Sequence, residues 1–600
     1  MKKLILIALV LTGLTTNAQY FQHLYGSAAN DEYGVSGTNI NTVAPAGQFM
    51  VGVGLSCLPV SSIPATYTRL NGNVPGPPHF NENYVLANPA GAMLNVTGLP
   101  QAMELSTCGL FGIVGSYTDP SVTAPGNSGV FFMQIAAGGG VTAIFNYIPP
   151  AGSGWDIVDV TGAKKSIVFP GDWYITGTAL DPTGLFKVFA MRINECSGAM
   201  VWSVMYDIQA PVINAWGRDI DENLMNPFGF QSAAIVGKVN DGVSDDAFLF
   251  HIDANNGIPA PHPVIITGSP NTTEEWRSIR QAQAGPLPPG FILGGTTDLY
   301  GNKDFMVTRM DGLIAPFFTN VYDYSVNPNT DNICYDVIER LNSACNYEYY
   351  AIGNASNGAF GGSDVMVVKM DQFGVTIPGD EFTYGGGGND YATKIDQRTT
   401  TPCAAPPPNL DGLTMFGSTQ GSFTGLGGAD MYMIKAYFNG ISGCNEMFNN
   451  PILLGGMQPN PMMPVVDISK MVPDVNLLAI HNKNSDVTLC FANIIGGGNN
   501  ARVAPKDEGK EANQAILVMP NPTAAASQEV KLEVNSNIAG DVEVEIYDLL
   551  GKKQYSHQHT LVKGKNTLPI DLSTTTMAAG TYSVKMKGAT ETQTVILIVK

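Results

Sequence analysis

The sequence predicts an all-β chain, a seven-bladed β-propeller followed by a linker and a small C-terminal antiparallel β-sandwich. Three observations predict it. A short apolar run that usually opens or closes on Asp or Asn and Gly recurs seven times, at spacings of 56 to 66 residues. A period of that length built from strands points to propeller blades or solenoid turns, because one such unit cannot bury both of its faces alone. Charged residues are only 14%, while Gly (67) and Pro (39) are plentiful, the composition of a turn-rich β protein. Finally, the last stretch of chain changes to strict alternation of apolar and polar residues, as in Asp541-Val-Glu-Val-Glu-Ile-Tyr547, which marks a half-buried antiparallel sheet.

The chain opens with Lys2 and Lys3, an apolar run from Leu4 to Leu14, then small or polar residues up to Ala18 and Gln19. This is a secretory pattern, with residues 1–18 as the signal peptide and cleavage between Ala18 and Gln19. The apolar run falls short of the roughly 20 residues that a helical membrane span needs. No other stretch is long enough, so no transmembrane segment is expected in the mature chain.

Residues 19–450 carry the repeat. Its clearest copies begin at Asp246, Asp304, Asp364 and Asp430, and weaker ones lie at Thr66, Gly129 and Phe186. Before each strand stand three others; in the last period they are Phe382-Thr-Tyr384, Asn389 to Ile395 and Leu413 to Ser418. Four short strands separated by turn residues make one blade. The first mature strand, His23-Leu-Tyr-Gly26, has no blade of its own and is expected to complete the last blade beside Asp430 to Ala436, closing the ring and covering an exposed edge. Residues 451–512 break the period and are rich in Pro and Gly, which predicts a connector ending in a flexible hinge. Residues 513–600 form the C-terminal sandwich.

The repeat, with its pattern Tyr-Gly-Gly, Asp, Ile, Gly, then Asp-x-φ-φ-φ-Lys-φ-Asp, resembles the β-propeller repeats of many large exported bacterial proteins. The C-terminal landmarks are Pro520-Asn521-Pro522, Asp548 and Gly551 in Ile546 to Lys552, Gly580 and Tyr582 in Ala579 to Ser583, and Lys600 at the end of the last strand. In that order they closely resemble the type IX (Por) secretion system sorting domain of Bacteroidetes. The resemblance implies an address read by the outer-membrane translocon, usually cut off while the cargo is released or attached to the cell surface. The last strand lacks the extra basic residues often found there.

Net charge is -20, which argues against nucleic acid or an anionic membrane surface, since both need clustered cations. Eight cysteines in an exported chain could pair. The expected local disulfide is Cys334 with Cys345, flanking a stretch that has the pattern of a hairpin. The seven histidines show no His-Glu-x-x-His or Cys/His metal spacing. No nucleophile elbow or phosphate-binding loop is present, so no catalytic residue and no cofactor is expected. Three acidic clusters could take Ca²⁺: Asp241 to Asp246, Asn389 with Asp390, and Asp219, Asp221 and Glu222. Capping of turns by Asp side chains is the favoured reading of these. The function expected is that of a secreted or surface-attached, non-enzymatic propeller binding a protein or glycan. A propeller glycoside hydrolase or polysaccharide lyase is the alternative, and it would need carboxylates from different blades to converge near the channel.

Overall fold

In a computed structural model the chain is described from Ala18 to Ile494 and from Ile516 to Val599, apart from connecting loops that include 41–48, 70–79, 399–411 and 421–428. For the strands between Glu446 and Ile494 only the backbone pairing is described. The described residues form strands and turns without a helix, so none crosses a membrane as a helix. Two compact units result, 1–501 and 502–600.

The first unit contains seven five-stranded antiparallel sheets, here sheets I to VII. Their innermost strands are Glu32–Ile40, Asn95–Glu104, Asp156–Lys165, Asn214–Asn223, Glu274–Ala282, Asn332–Leu341 and Asn389–Arg398. In sheets I to VI three more consecutive strands follow in order, so the four-strand unit starts one strand later than the sequence pattern suggested: Phe382 to Tyr384, expected to open the last blade, lies in the fourth strand of sheet VI, and Asn389–Arg398 opens sheet VII. The second and third strands are apolar on both faces, for example Gly290–Thr297 and Ala429–Ala436, which are buried throughout. Double burial follows from stacking: each sheet shares an apolar core with the next. Phe111, Ile113 and Phe131 of sheet II pack against Val51, Val53 and Tyr84 of sheet I. Ile352 and Val367 of sheet VI pack against Leu413 and Met415 of sheet VII. Sheet VII meets sheet I at Phe416, whose ring fills the space that a side chain on Gly52 would need.

One glycine role recurs. The innermost strands carry a β-bulge against their neighbours, at Gly217/Asp219, Trp276/Ser278, Cys334/Asp336 and Ala392/Lys394 among others. The bulge throws a carbonyl onto the second strand. A Cβ on Gly237, Gly295, Gly353 or Gly417 would lie 1.8 to 2.0 Å from that oxygen, so only glycine fits there.

The first strand behaves as expected. Ala18–Gly26 pairs with Ala429–Ala436, Tyr25 opposite Met431, as the fourth strand of sheet VII.

The chain after 445 departs from the sequence reading, and the connector boundary at 450 is corrected. Seven short strands between Glu446 and Ile494 each add a fifth, outermost strand to one sheet, in reverse order around the unit. Glu446–Asn449 joins sheet VI, Ile452–Gly456 sheet V, Asn460–Pro461 sheet IV, Val465–Ser469 sheet III, Val472–Asp474 sheet II and Leu478–Lys483 sheet I. Ser485–Ile494 then pairs with the first strand, Ile494 opposite Ala18. The segment resembled a linker because six of its seven strands have six residues or fewer, Pro461 and Pro473 lie in outermost strands, where proline is tolerated, and each strand meets a different sheet, so no period develops.

The second unit holds a three-stranded sheet (Ile516–Met519, Glu529–Ser536, Gly564–Asp571) and a four-stranded one (Lys553–Leu561, Gly540–Tyr547, Gly580–Lys587, Thr592–Val599). Val530, Leu532 and Ile570 of the first pack with Val544, Ile546, Val584 and Met586 of the second in one core.

The disulfide expectation is also corrected. Cys334 is a free, buried thiol, whereas Cys345 is disulfide-bonded elsewhere. The reason is register: Cys334 lies opposite Gly353, while Cys345 sits in the turn beyond the Leu341–Tyr347 pair, about 20 Å farther along the strand at 3.3 Å per residue. A disulfide does join Cys108 to Cys196, with a Cα–Cα distance of 5.0 Å across 88 residues of sequence.

Candidate functional site

The innermost strands face one another around a cavity of about 380 Å³. An innermost strand is a sheet edge, so its N–H groups on that side lack ladder partners. Carboxylates projected by the bulges satisfy several of them from the neighbouring sheet. Asp219 Oδ2 accepts from the Ile279 N–H at 3.1 Å, Asp221 Oδ2 from Gln281 at 3.0 Å, Asp336 Oδ2 from Ile395 at 3.2 Å, and Glu339 Oε1 from Gln283 at 2.7 Å. Thr161 and Thr393, at bulges, donate to the carbonyls of Gly217 and Val35 at 2.8 Å.

Cations complete the lattice. Arg280 bridges three sheets, donating to Asp219 Oδ2 at 2.8 Å and to both Asp336 oxygens at 2.8 and 3.0 Å. Lys394 stands 3.5 Å from Asp336, and Lys164 3.4 Å from Asp221. Burial pushes the Asp336 carboxyl up, but Arg280 and Lys394 outweigh it and hold the group below the usual carboxylate range. At Asp221 burial prevails over Lys164 and Arg280, and the carboxyl is raised. Lys394 is lowered by burial and by the neighbouring Arg280. Glu339 is pushed up to about 7, chiefly by burial.

Around this lattice the cavity wall is polar. It includes the amide residues Gln101, Gln281, Gln283 and Gln397, the acids Glu104, Asp221, Glu339 and Asp396, the bases Lys164, Lys165, Arg280 and Lys394, and Trp173 beside Ile167. Trp173 is held by a 3.0 Å bond from its indole N–H to buried Glu195, next to Cys196 of the disulfide.

Of the three acidic clusters that could take Ca²⁺, Asp219, Asp221 and Glu222 take part in hydrogen-bond and ion-pair networks. Glu222 accepts from the hydroxyls of Tyr174 at 2.9 Å and Ser166, and from the Ile167 N–H at 2.7 Å. Asp241 caps a turn, accepting from Val243 at 2.8 Å and Ser244 at 3.0 Å. A related cap recurs with its own spacing: Asp181, Asp311, Asp371 and Asn342 each accept from the N–H groups two and four residues on. Asn389 accepts from Ser363 at 3.0 Å, and Asp390 faces Asp364. His557 and His559 stack at 4.8 Å between ring centres on an edge strand of the second unit.

Sequence reasoning missed Arg280, Asp336, Glu339 and Lys394. Their signal was positional: each lies at or shortly after the bulge of an innermost strand, in the stretch that aligns between repeats.

In the second unit Tyr582 is buried in the shared core, opposite Leu597, and Gly580 lies opposite Val599. Pro520, Asn521, Pro522, Asp548, Gly551 and Lys600 lie outside the described residues, and of Gln19 and Ala18 only the strand pairing is described. Residues 517–600 match the family described as Secretion system C-terminal sorting domain. The C-terminal region is a type IX secretion-system sorting domain. A chain carrying this sorting domain is exported, to be secreted or attached at the cell surface, and the sorting domain is what the type IX machinery recognises. No curated protein matches the chain. Among solved structures, dimeric latent PorU from Porphyromonas gingivalis shows a likeness with 11% identity and a TM-score of 0.13, covering 73% of this chain. The chain spans 32% of that protein, and the likeness is too slight to bear on fold or function.

Proposed function

We propose that the protein is an exported, non-enzymatic binding protein, in which a closed seven-bladed propeller offers its polar axial cavity to the end of a glycan. In this reading the sorting domain is a sandwich that delivers the propeller through the type IX translocon. The closed ring is supported by the seven sheets that share cores in succession, by Phe416 lodged against Gly52, and by the first strand completing the last sheet. The sandwich is supported by one core shared between two small sheets.

The observation that carries the binding role is the cavity wall. At about 380 Å³ it lies within the usual range for small-molecule sites. Four amide side chains, balanced charges and an indole match a neutral polyhydroxylated group better than an apolar or strongly charged one. A volume of that size holds a few sugar residues, so the end of a glycan chain suits it better than a protein surface.

The test is binding of the full-length secreted protein to a glycan panel, repeated with Lys165→Ala and Gln283→Ala. Binding that either substitution weakens at least tenfold supports the reading. Absence of binding to every glycan, or binding indifferent to both substitutions, refutes it. A hydrolase or lyase is the second reading, favoured by Glu339, which is protonated in part near pH 7 and shares the cavity with Glu104, Asp221 and Asp396. Release of reducing or unsaturated ends, lost in Glu339→Gln, would replace the binding reading with that one.

A further inference from the structure

The boundary between sheets VI and VII holds a second polar feature, away from the axis. Asp364 opens the third strand of sheet VI, and Asp390 lies at the start of the innermost strand of sheet VII. Both side chains are fully buried. Between them lies Gly385: the point where its Cβ would sit is 2.3 Å from Asp364 Oδ1 and 2.9 Å from Asp390 Oδ2. The two oxygens therefore face each other across a space kept open by the missing side chain.

Few donors serve this pair. Asp364 Oδ2 accepts from the Phe360 N–H at 2.7 Å, and Asp390 Oδ2 from the Gly386 N–H at 2.7 Å. Asp364 Oδ1 has no hydrogen-bond partner. A buried carboxylate oxygen without a partner is costly, and the cost grows with a second carboxylate facing it.

The preceding boundary has a related arrangement with an amide inside it: Asp304 Oδ2 also lacks a hydrogen-bond partner and Asp323 is the second carboxylate. There Asp304 replaces Asp364, and Asn332 replaces the acid on the next innermost strand. The Asn332 amide donates to Asp323 at 2.9 Å and toward Asp304 at 3.4 Å, and Asn302 donates to Asp304 at 3.0 Å. At the next boundary Asp390 stands in place of Asn332 and Gly385 in place of Asp323, so two carboxylates remain but the amide donor between them is lost.

We propose that the Asp364–Asp390 pair is a site for a hard divalent cation, of which Ca²⁺ is the physiological choice, clasping sheets VI and VII. Oxygen-only donors and two carboxylates match the preferences of Ca²⁺, and the Thr419 hydroxyl, on the residue paired with Asp390, adds an oxygen to the same corner. The competing occupant is a proton shared by the two acids, toward which burial drives both groups.

Asp390→Asn separates the two, because it copies the Asp/Asn arrangement that the neighbouring boundary already tolerates, so folding is preserved. The full-length protein, stripped with chelator and titrated with CaCl₂ at pH 7.5, is followed by thermal unfolding and by Tb³⁺ luminescence. The expected result is a saturable rise in Tm of about 2 °C, with Tb³⁺ displaced by Ca²⁺, both responses lost in Asp390→Asn. Two results would overturn the proposal: no response of the wild type to Ca²⁺ while Tm rises as pH falls from 8 to 5, which assigns the pair to a shared proton, or a response that persists unchanged in the variant.

Discussion

Replacing Arg280 by Met removes the cation that joins three sheets at the cavity. The side chain makes three bonds to Asp219 and Asp336 at 2.8 to 3.0 Å, and Asp336 is buried. Breaking a buried pair by deleting one partner costs about 3–5 kcal/mol, and Lys394, 3.5 Å from Asp336, is left to compensate the carboxylate only in part. For a unit of 501 residues, an unfolding entropy of about 2.1 cal/mol/K per residue amounts to roughly 1 kcal/mol per degree, so the expected fall in Tm is about 3–5 °C. The pH dependence follows from Asp336. In the wild type its folded pKa lies below the unfolded value of about 3.9, so its contribution is present above that value and is lost as pH falls through the folded one. Without Arg280, burial raises the folded pKa, and the variant recovers by taking up a proton. The gap between the two proteins is therefore widest near pH 7.5 and narrows toward pH 4. Calorimetry at both pH values decides it. A fall below 1 °C at pH 7.5, or a gap unchanged by pH, would mean that water in the cavity screens the pair as it does at a surface.

Deleting 446–494 while keeping the sorting domain uncovers the outer edges of all seven sheets, and the product is expected to aggregate; a soluble, secreted monomer on size exclusion would contradict this. Glu339, raised to about 7 by burial, contributes stability that is fully present below its unfolded pKa and lost as pH rises through 7, so Glu339→Gln should match the wild type at pH 4 and exceed it at pH 8 in urea denaturation. Removing the Cys108–Cys196 disulfide frees a loop closed across 88 residues, worth about 4.5 kcal/mol in the chain-entropy picture; Cys108→Ala with Cys196→Ala should lower Tm by about 4 °C, with no change under reducing conditions.

Part of the candidate site was legible. The cluster Asp219, Asp221 and Glu222 stood out in the sequence, but as possible Ca²⁺ ligands and not as partners of Arg280, Lys164 and the backbone of the next sheet. Arg280 and Asp336 lie 56 residues apart in sequence, one repeat length, and nothing local announces that the two side chains meet. The Asp364–Asp390 pair was half seen: Asn389 and Asp390 were noted, while Asp364 was assigned only to the repeat.

From the chain alone came whatever is written in local order. Strand spacing, apolar runs and the glycine of each second strand established the all-β repeat; Asp at the turns announced caps; the terminal landmarks announced export. Tertiary structure alone decided the outermost strands of 446–494, the Cys108–Cys196 link and the ion lattice at the cavity. The physical reason is range. Periodicity records what each residue does within its own strand, whereas a strand that borrows each partner from a different sheet, or a charge answered one repeat away, leaves no period in the sequence to be found.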